Sequence, residues 1–315
     1  MFRLLVVSPS FASCSMGLME ELKNMNIEVK HVRPKWKLRE EDFTGIIEDA
    51  DGLIVGADIV SRKVMEMAPR LKIISKHGVG LDNIDLDAAK EFGIKVCYAA
   101  GSNTVAVAEL ACAMIMALAR GLVINTQEIA AGRWNRQRGI ELTGSTLGVV
   151  GTGAIGREVI RRMRAFGMKI LAYDSFPDTK LISTIGGRYV ELEELLCCSD
   201  FVSLHLPLTE DTRNLIDEQQ IDKMKQGAYL INTARGGIVN EAALYKALKT
   251  GKIAGAGIDT FVDEPPFSSP LTKLNNVVMT PHIGGYTKEA IDKMSRAAAA
   301  NIVQHIMEMK GLKSE

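Results

Sequence analysis

The stretch Gly151-Thr152-Gly153-Ala154-Ile155-Gly156 has the spacing G-x-G-x-x-G. It follows the apolar run Leu147-Gly148-Val149-Val150 directly and opens a helical pattern from Arg157 to Phe166. In a strand–turn–helix of this kind the first glycine permits the tight turn and the second lets the backbone approach a pyrophosphate. The third lets the helix pack close to the strand. Free N–H groups and the positive dipole end of the helix then face the phosphates. Glycine turns between strand and helix are common, so the loop alone is weak evidence. Asp174 strengthens it. The next strand pattern, Met168 to Tyr173, ends at that acid. A carboxylate there accepts both ribose hydroxyls of NAD and repels the 2′-phosphate of NADP.

Three later segments carry side chains suited to proton exchange on a small anion. Arg235, in Ile231-Asn232-Thr233-Ala234-Arg235-Gly236-Gly237, offers a planar fork for a carboxylate. Gly257-Ile258-Asp259-Thr260-Phe261 leads to Glu264-Pro265-Pro266, and Thr280-Pro281-His282-Ile283-Gly284-Gly285 supplies a histidine. Histidine is the side chain most easily poised to exchange a proton near neutral pH, and a carboxylate beside it would hold its ring and favour the imidazolium. Singly, Arg235 also reads as a surface ion pair, Glu264 as a solvated loop residue and His282 as a turn histidine. Their order behind a dinucleotide loop is what makes the set specific.

Such residues need rigid elements behind them. Up to about residue 98, strand patterns at Leu4-Val7, Ile27-His31, Leu53-Val55, Leu71-Ser75 and Lys95-Tyr98 alternate with helical ones around Met16-Met25, Glu40-Asp49, Lys63-Met67 and Leu86-Phe92. That alternation predicts βαβ units and a parallel sheet. A long helix is predicted from near Asn103 past Ala119, followed by an irregular stretch over Gly132-Gly144. Alternation then resumes, with strands at Leu147-Val150, Lys169-Tyr173, Phe201-Leu204, Ala228-Asn232, Ile253-Ile258 and Val277-Thr280. One helix, Thr287 to Met309, is left over, and its simplest place is against the first domain. The expected division is a discontinuous domain of residues 1–100 and 286–315, and a dinucleotide domain of residues 101–285.

The bulk properties fit two cores: 315 residues, 47% hydrophobic and 24% charged. Lysine plus arginine balances aspartate plus glutamate at 38 each, so no excess charge points to nucleic acid or anionic lipid. Five cysteines without a regular framework read as reduced thiols, and the apolar N-terminus is too short for a signal peptide. The Val105-Ile124 stretch contains Glu109 and Arg120, which suits a core or interface helix better than a membrane span. A soluble cytoplasmic protein is expected. No His/Cys cluster has metal-ligand spacing: His31 and His305 stand alone, and His205 sits at a strand end.

Taken together, these segments resemble the D-isomer-specific 2-hydroxyacid dehydrogenase family, in particular its phosphoglycerate-dehydrogenase-like branch. The resemblance also covers Lys76-His77-Gly78-Val79-Gly80-Leu81-Asp82-Asn83-Ile84-Asp85 and Asn103-Thr104-Val105-Ala106-Val107-Ala108-Glu109-Leu110. It implies two Rossmann-like α/β domains with parallel sheets, an active site in the cleft between them, and a homodimer formed through the cofactor domain and the helix near residue 105. It implies NAD as cofactor, a small 2-hydroxy or 2-keto acid as substrate, and neither nucleic acid nor membrane as partner. Arg235 would bind the substrate carboxylate, His282 would exchange the hydroxyl proton, and Glu264 would pair with His282. Asp259 would contact the nicotinamide carboxamide. Thr233, Ala234, Leu206, Pro207, Gly284 and Gly285 would line the cofactor, and Ala154-Ile155 would supply pyrophosphate amides. From the first domain, Val79 and Gly80 N–H groups would meet the substrate carboxylate, with Val79 also near the nicotinamide. Lys76 stands where the family often has arginine.

Phosphoglycerate enzymes grip a phosphate with basic side chains, yet after Leu53-Ile54-Val55 this chain has Gly56-Ala57-Asp58. The substrate alternatives are therefore 3-phosphoglycerate and short acids such as glyoxylate or hydroxypyruvate. Lys76, or Arg136 and Arg138 across a dimer, are the remaining candidates for phosphate. With the sequence ending at Glu315, no regulatory ligand-binding domain is expected. A binding protein similar to NAD-sensing co-repressors is the reading from another class. Ser8-Pro9-Ser10-Phe11, with Ser13 and Ser15, reads either as a pocket floor at a strand end or as a helix-capping loop.

Overall fold

In the computed structural model, residues 1–34 and 37–311 are described. The chain falls into two compact units, Met1–Asn103 with Gly285–Glu315, and Thr104–Gly284.

In the first unit, five short strands pair in parallel: β1 (Phe2–Val6), β2 (Ile27–His31), β3 (Gly52–Val55), β4 (Ile73–Lys76) and β5 (Lys95–Tyr98). Their order is β2-β1-β3-β4-β5. A strand buried on both faces needs apolar side chains at successive positions, and Leu4-Leu5-Val6 and Leu53-Ile54-Val55 supply them. Leu5, Leu53, Val55 and Ile74 join one core cluster, while Leu4, Val6, Ile54 and Ile73 join another with Ala298, Ala299 and Ile302 of the C-terminal helix Lys288–Met309. The leftover helix thus belongs to the first sheet.

A polar seam fixes that helix. His77, just beyond β4, is hydrogen-bonded through Nδ1 to Ser8 Oγ and through Nε2 to Ser295 Oγ, each at 3.0 Å. Phe11 meets the ring edge-on at 5.9 Å between centroids. Ser295 also accepts the Ala12 N–H at 3.0 Å. The serine-rich turn does not cap the helix Leu18–Asn24, which begins at Gly17 without a side-chain cap. Its first serine is instead buried at the end of β1.

The second unit carries seven parallel strands: β6 (Thr146–Val150), β7 (Lys169–Tyr173), β8 (Gly187–Tyr189), β9 (Phe201–Leu204), β10 (Ala228–Asn232), β11 (Ile253–Ile258) and β12 (Val277–Met279). The order β12-β11-β10-β9-β6-β7-β8 reverses direction between β6 and β9. In doubly wound sheets ligands sit beyond the strand C-termini at such a reversal. β11 reads Ile-Ala-Gly-Ala-Gly-Ile for a packing reason. A Cβ on Gly257 would lie 2.9 Å from Met114 Cβ, and one on Gly255 would lie 3.0 Å from Leu118 Cδ2. The glycines let the helix Thr104–Ala119 lie close on the sheet.

Three expectations differ in detail. The long helix is broken into Thr104–Ala119 and Leu122–Ala130, bent by 61°. Gly121 takes the left-handed conformation at the break, with φ 55°. The predicted helix over Glu40-Asp49 is only a 3-10 turn, Glu40–Phe43, because Gly45 at φ 78° stops it. β8 has three residues at the sheet edge, too short to leave a pattern. Among the described residues no single helix is long and apolar enough to cross a membrane.

Burial pushes the His77 imidazole from 6.5 down to about 4. The folded chain therefore keeps it neutral while an unfolded chain takes up a proton below about 6.5. The unfolded state then binds more protons, so stability falls as pH drops from 6.5 towards 4. His205 in the second unit, also pushed by burial to about 4, adds a loss of the same sign. His77→Gln should flatten the dependence of the melting temperature on pH across this window. An unchanged slope in a thermal-melt series would assign the acid sensitivity to other groups.

Candidate active site

β6 delivers the glycine loop. Gly151 stands at φ 93°, and a Cβ there would lie 2.4 Å from the His205 carbonyl oxygen. A Cβ on Gly156 would lie 2.1 Å from the Gly151 oxygen, so the helix Ala154–Ala165 approaches the strand only because both are glycine. Gly153 differs, because the space beside its Cα holds no atom within 4 Å. That open space adjoins the first turn of the helix, whose leading N–H groups, Ala154 and Ile155 among them, have no acceptor within the helix.

Asp174, just past β7, faces this loop. One carboxylate oxygen accepts the Thr152 N–H at 2.6 Å and the Thr152 hydroxyl at 2.9 Å, and the other accepts the Phe176 N–H at 2.9 Å. Partial burial opposes its charge, but the Phe176 and Thr152 donors outweigh it and hold the carboxyl below its ordinary range. Asp174 is thus an anion at neutral pH. The Thr152 hydroxyl also meets Tyr189 OH at 2.7 Å. Leu206, half-buried after β9, packs beside Gly151, whereas Pro207 is exposed.

The ends of β10, β11 and β12 hold the remaining second-unit residues. Asn232 closes β10 and shapes the next turn: its Oδ1 accepts the Ala234 N–H at 3.1 Å and its Nδ2 donates to the Arg235 carbonyl at 2.8 Å. The Arg235 guanidinium donates to the Ala234 carbonyl at 2.7 Å. Gly236 then lies flat on the next loop, since a Cβ there would be 2.0 Å from the Phe261 carbonyl oxygen. Thr233 is buried, and its hydroxyl has no partner among the described residues.

Asp259 follows β11 and is fully buried. Its Oδ1 accepts the Thr280 hydroxyl at 2.5 Å and the Ile283 N–H at 2.8 Å, and its Oδ2 accepts the Gly284 N–H at 2.8 Å. Its backbone carbonyl accepts the His282 N–H at 3.0 Å. These bonds hold His282 at φ 54°, a left-handed conformation that costs a non-glycine residue about 1–2 kcal/mol. The result is a side chain turned towards Glu264, whose two oxygens lie 2.9 and 3.1 Å from His282 Nδ1. An ionised carboxylate only accepts, so Nδ1 carries the proton and Nε2 is the nitrogen left to exchange one. His282 is 44% exposed and Glu264 17%, so the imidazole is reachable while its partner is sheltered.

In the first unit, Val79 and Gly80 are partly exposed in the loop after β4, while Lys76 is buried. Its ammonium donates to the Gly56 carbonyl at 2.6 Å and to Asn83 Oδ1. Gly285 packs beside Asn103 in that unit.

Sequence reasoning missed Thr152, Tyr189 and Asn232. An asparagine directly before a turn was a usable signal for the last. A hydroxyl between two loop glycines was a weaker one for the first. Asp259, expected as a cofactor contact, also has three of its lone-pair sites taken by the His282 loop. Asp259→Asn would turn an amide N–H towards a backbone donor and leave buried groups unpaired, at about 1–3 kcal/mol each. Its melting temperature should fall by several degrees, and a wild-type value would show that the loop is held by other contacts.

Comparison with known proteins places the chain in a family. Residues 112–284 match the D-isomer specific 2-hydroxyacid dehydrogenase, NAD binding domain. A D-3-phosphoglycerate dehydrogenase of Methanocaldococcus jannaschii is 43% identical over 283 residues, 89% of this chain and 53% of the relative. The chain therefore spans about half the length of that protein. A hydroxypyruvate reductase of Thermotoga maritima is 44% identical over 282 residues, 87% of this chain and 90% of the relative. Among solved structures, D-lactate dehydrogenase from Aquifex aeolicus, complexed with NAD and lactic acid, superposes with a TM-score of 0.85 at 32% identity, covering 98% of each chain. The resemblance read from the sequence and the α/β fold with two parallel sheets are both borne out.

Proposed function

The chain belongs to the D-isomer-specific 2-hydroxyacid dehydrogenase family, and from that premise we propose that it moves a hydride between NAD and C2 of a small D-2-hydroxy acid or its 2-keto form. The observation that carries this reading is the Glu264–His282 pair, with Nδ1 held and Nε2 left for proton exchange.

The second unit fits the dinucleotide in three respects: the open space at Gly153, the ionised Asp174 beside the loop, and the unpartnered Thr233 hydroxyl. Ala154 and Ile155 amides would hold the pyrophosphate and Asp174 the ribose hydroxyls, while Leu206, Pro207, Thr233, Ala234, Asp259 and Gly284 would surround the rest. NAD, when bound, supplies the carbon that takes or gives the hydride. His282 Nε2 takes the substrate hydroxyl proton during oxidation and returns it during reduction. Glu264 keeps the ring oriented and stabilises the imidazolium so formed. Arg235 holds the substrate carboxylate through its planar fork, and a substrate fixed in this way avoids most of the orientational cost of the reaction.

Residues 1–103 and 285–315 form the substrate domain in this reading. In that domain the Val79 and Gly80 N–H groups are the proposed substrate contacts, and Lys76 holds the Gly56 turn. We further propose a homodimer through the helices Thr104–Ala119 and Leu122–Ala130, where Val105, Leu122 and Ile129 are exposed apolar side chains, with exposed Trp134 just beyond them. Five unpaired cysteines suit a reducing compartment, and the cytoplasm is the proposed location.

NADH oxidation with glyoxylate, hydroxypyruvate and other short 2-keto acids tests the activity. No turnover of any of them, with NAD still bound, would leave a binding protein instead. His282→Ala should lower kcat by roughly 10²–10⁴-fold with NAD affinity nearly unchanged. Wild-type kcat in that variant would remove His282 from proton exchange. Asp174→Ala should weaken NAD binding by on the order of tenfold and narrow the preference over NADP, consistent with loss of a charge-assisted hydrogen bond. Unchanged cofactor preference, measured by paired titrations, would contradict the ribose assignment.

A further inference from the structure

Relatives of this chain include proteins named for a phosphorylated acid and others named for unphosphorylated ones, and the C-terminal edge of the first sheet bears on that choice. β1, β3 and β4 end there side by side, leading into Ser8, Gly56 and Lys76–His77. Lys76 is the buried cation of this edge. Its ammonium is directed at the Gly56 carbonyl and at Asn83 Oδ1. The Asn83 amide donates back to the same turn, to the Gly56 carbonyl at 3.2 Å and to the Asp58 carbonyl.

Asp58, only 3% exposed, supplies the opposite charge. Its Oδ1 accepts the Leu38 N–H at 2.9 Å. Burial pushes its carboxyl up, while the Leu38 N–H and the charge of Lys76 favour the ionised form. Gly56 leaves little room for a side chain, since a Cβ there would meet Ser8 Oγ at 3.2 Å. The two histidines of the edge, His31 and His77, are both held towards the neutral form by burial. Arg33, beyond β2, is exposed to solvent, where its charge is screened.

A dianionic phosphate ester placed here would meet a carboxylate, and a cation whose hydrogen bonds are already directed elsewhere. Turning Lys76 towards it would strand the Asn83 Oδ1 acceptor and leave Asp58 without its counter-charge, both costly in a buried cluster. We propose that the Asp58–Lys76–Asn83 cluster makes this chain select unphosphorylated 2-keto acids over phosphate esters, with Asp58 as the specificity-determining residue. The proposal rests on the dehydrogenase reading and on the first unit as the substrate domain.

The test compares kcat/KM for NADH-dependent reduction of hydroxypyruvate and of its 3-phosphate ester by the full chain, and repeats both with Asp58→Asn. The wild-type ratio should favour hydroxypyruvate by at least about tenfold. Asp58→Asn keeps the side-chain shape but removes the negative charge, and should shift the ratio towards the ester by on the order of tenfold. Equal or better use of the ester by the wild type would overturn the proposal, even if the variant fails to fold. An unchanged ratio in a folded Asp58→Asn would remove Asp58 as its cause. Turnover of neither compound, nor of glyoxylate, would fail the dehydrogenase reading itself.

Discussion

A fully buried carboxylate, Asp259, holds the ends of β11 and β12 and the His282 loop together. Desolvating an ionised group costs several kcal/mol unless hydrogen bonds replace the lost water. Here the replacements come from Thr280, Ile283 and Gly284, all on the segment that carries His282. The need to satisfy the carboxylate therefore fixes the loop, and the loop fixes the histidine in a backbone conformation it would not choose alone. Reach between His282 and Glu264 is a consequence of that satisfaction. A looser loop would let the imidazole rotate and would lose the tautomer that leaves Nε2 available.

A similar economy governs the dinucleotide loop. Asp174 is joined to it from within, through both the N–H and the hydroxyl of Thr152. The acid expected to meet a ribose thus also braces the turn expected to meet the phosphates. The helix dipole and the glycine turn provide the field, and Asp174–Thr152 sets the distance between the two recognition points. Strand β6 carries the first and β7 the second, so their separation is fixed by neighbouring strands of one sheet.

What the sequence made legible follows the same physics. Eleven of the twelve strands among the described residues were legible to within two residues at either end, most plainly where a strand covered on both faces has consecutive apolar positions, as in Leu53-Ile54-Val55. The Gly151–Gly156 loop, Asp174, Arg235 and the Glu264/His282 pair stood out because each lies just past a strand end, where a polar residue interrupts an apolar pattern. Thr152 and Asn232 did not, since a side chain bonding to its own loop leaves no periodic trace. The bend at Gly121 was hidden for a different reason: apolar residues continue on both sides of it. Asp58 and Asn83 were invisible as partners of Lys76, because only the folded sheet brings β3 and β4 alongside each other.

The two units meet different electrostatic demands, and each answers with its own buried carboxylate. In the second, the Asp259 carboxylate is met by the Ile283 and Gly284 N–H groups and by the Thr280 hydroxyl, and these bonds order a loop. In the first, Asp58 and Lys76 sit in one cluster with Asn83 between their turns, so the charges offset each other and the strand ends stay locally neutral. A neutral, hydrogen-bonded edge is stable without a bound anion, whereas an edge built to grip a dianion carries unbalanced positive charge until the ligand arrives. The balance at Asp58 and Lys76 thus makes stability of the free protein and preference for a less charged acid two effects of one arrangement.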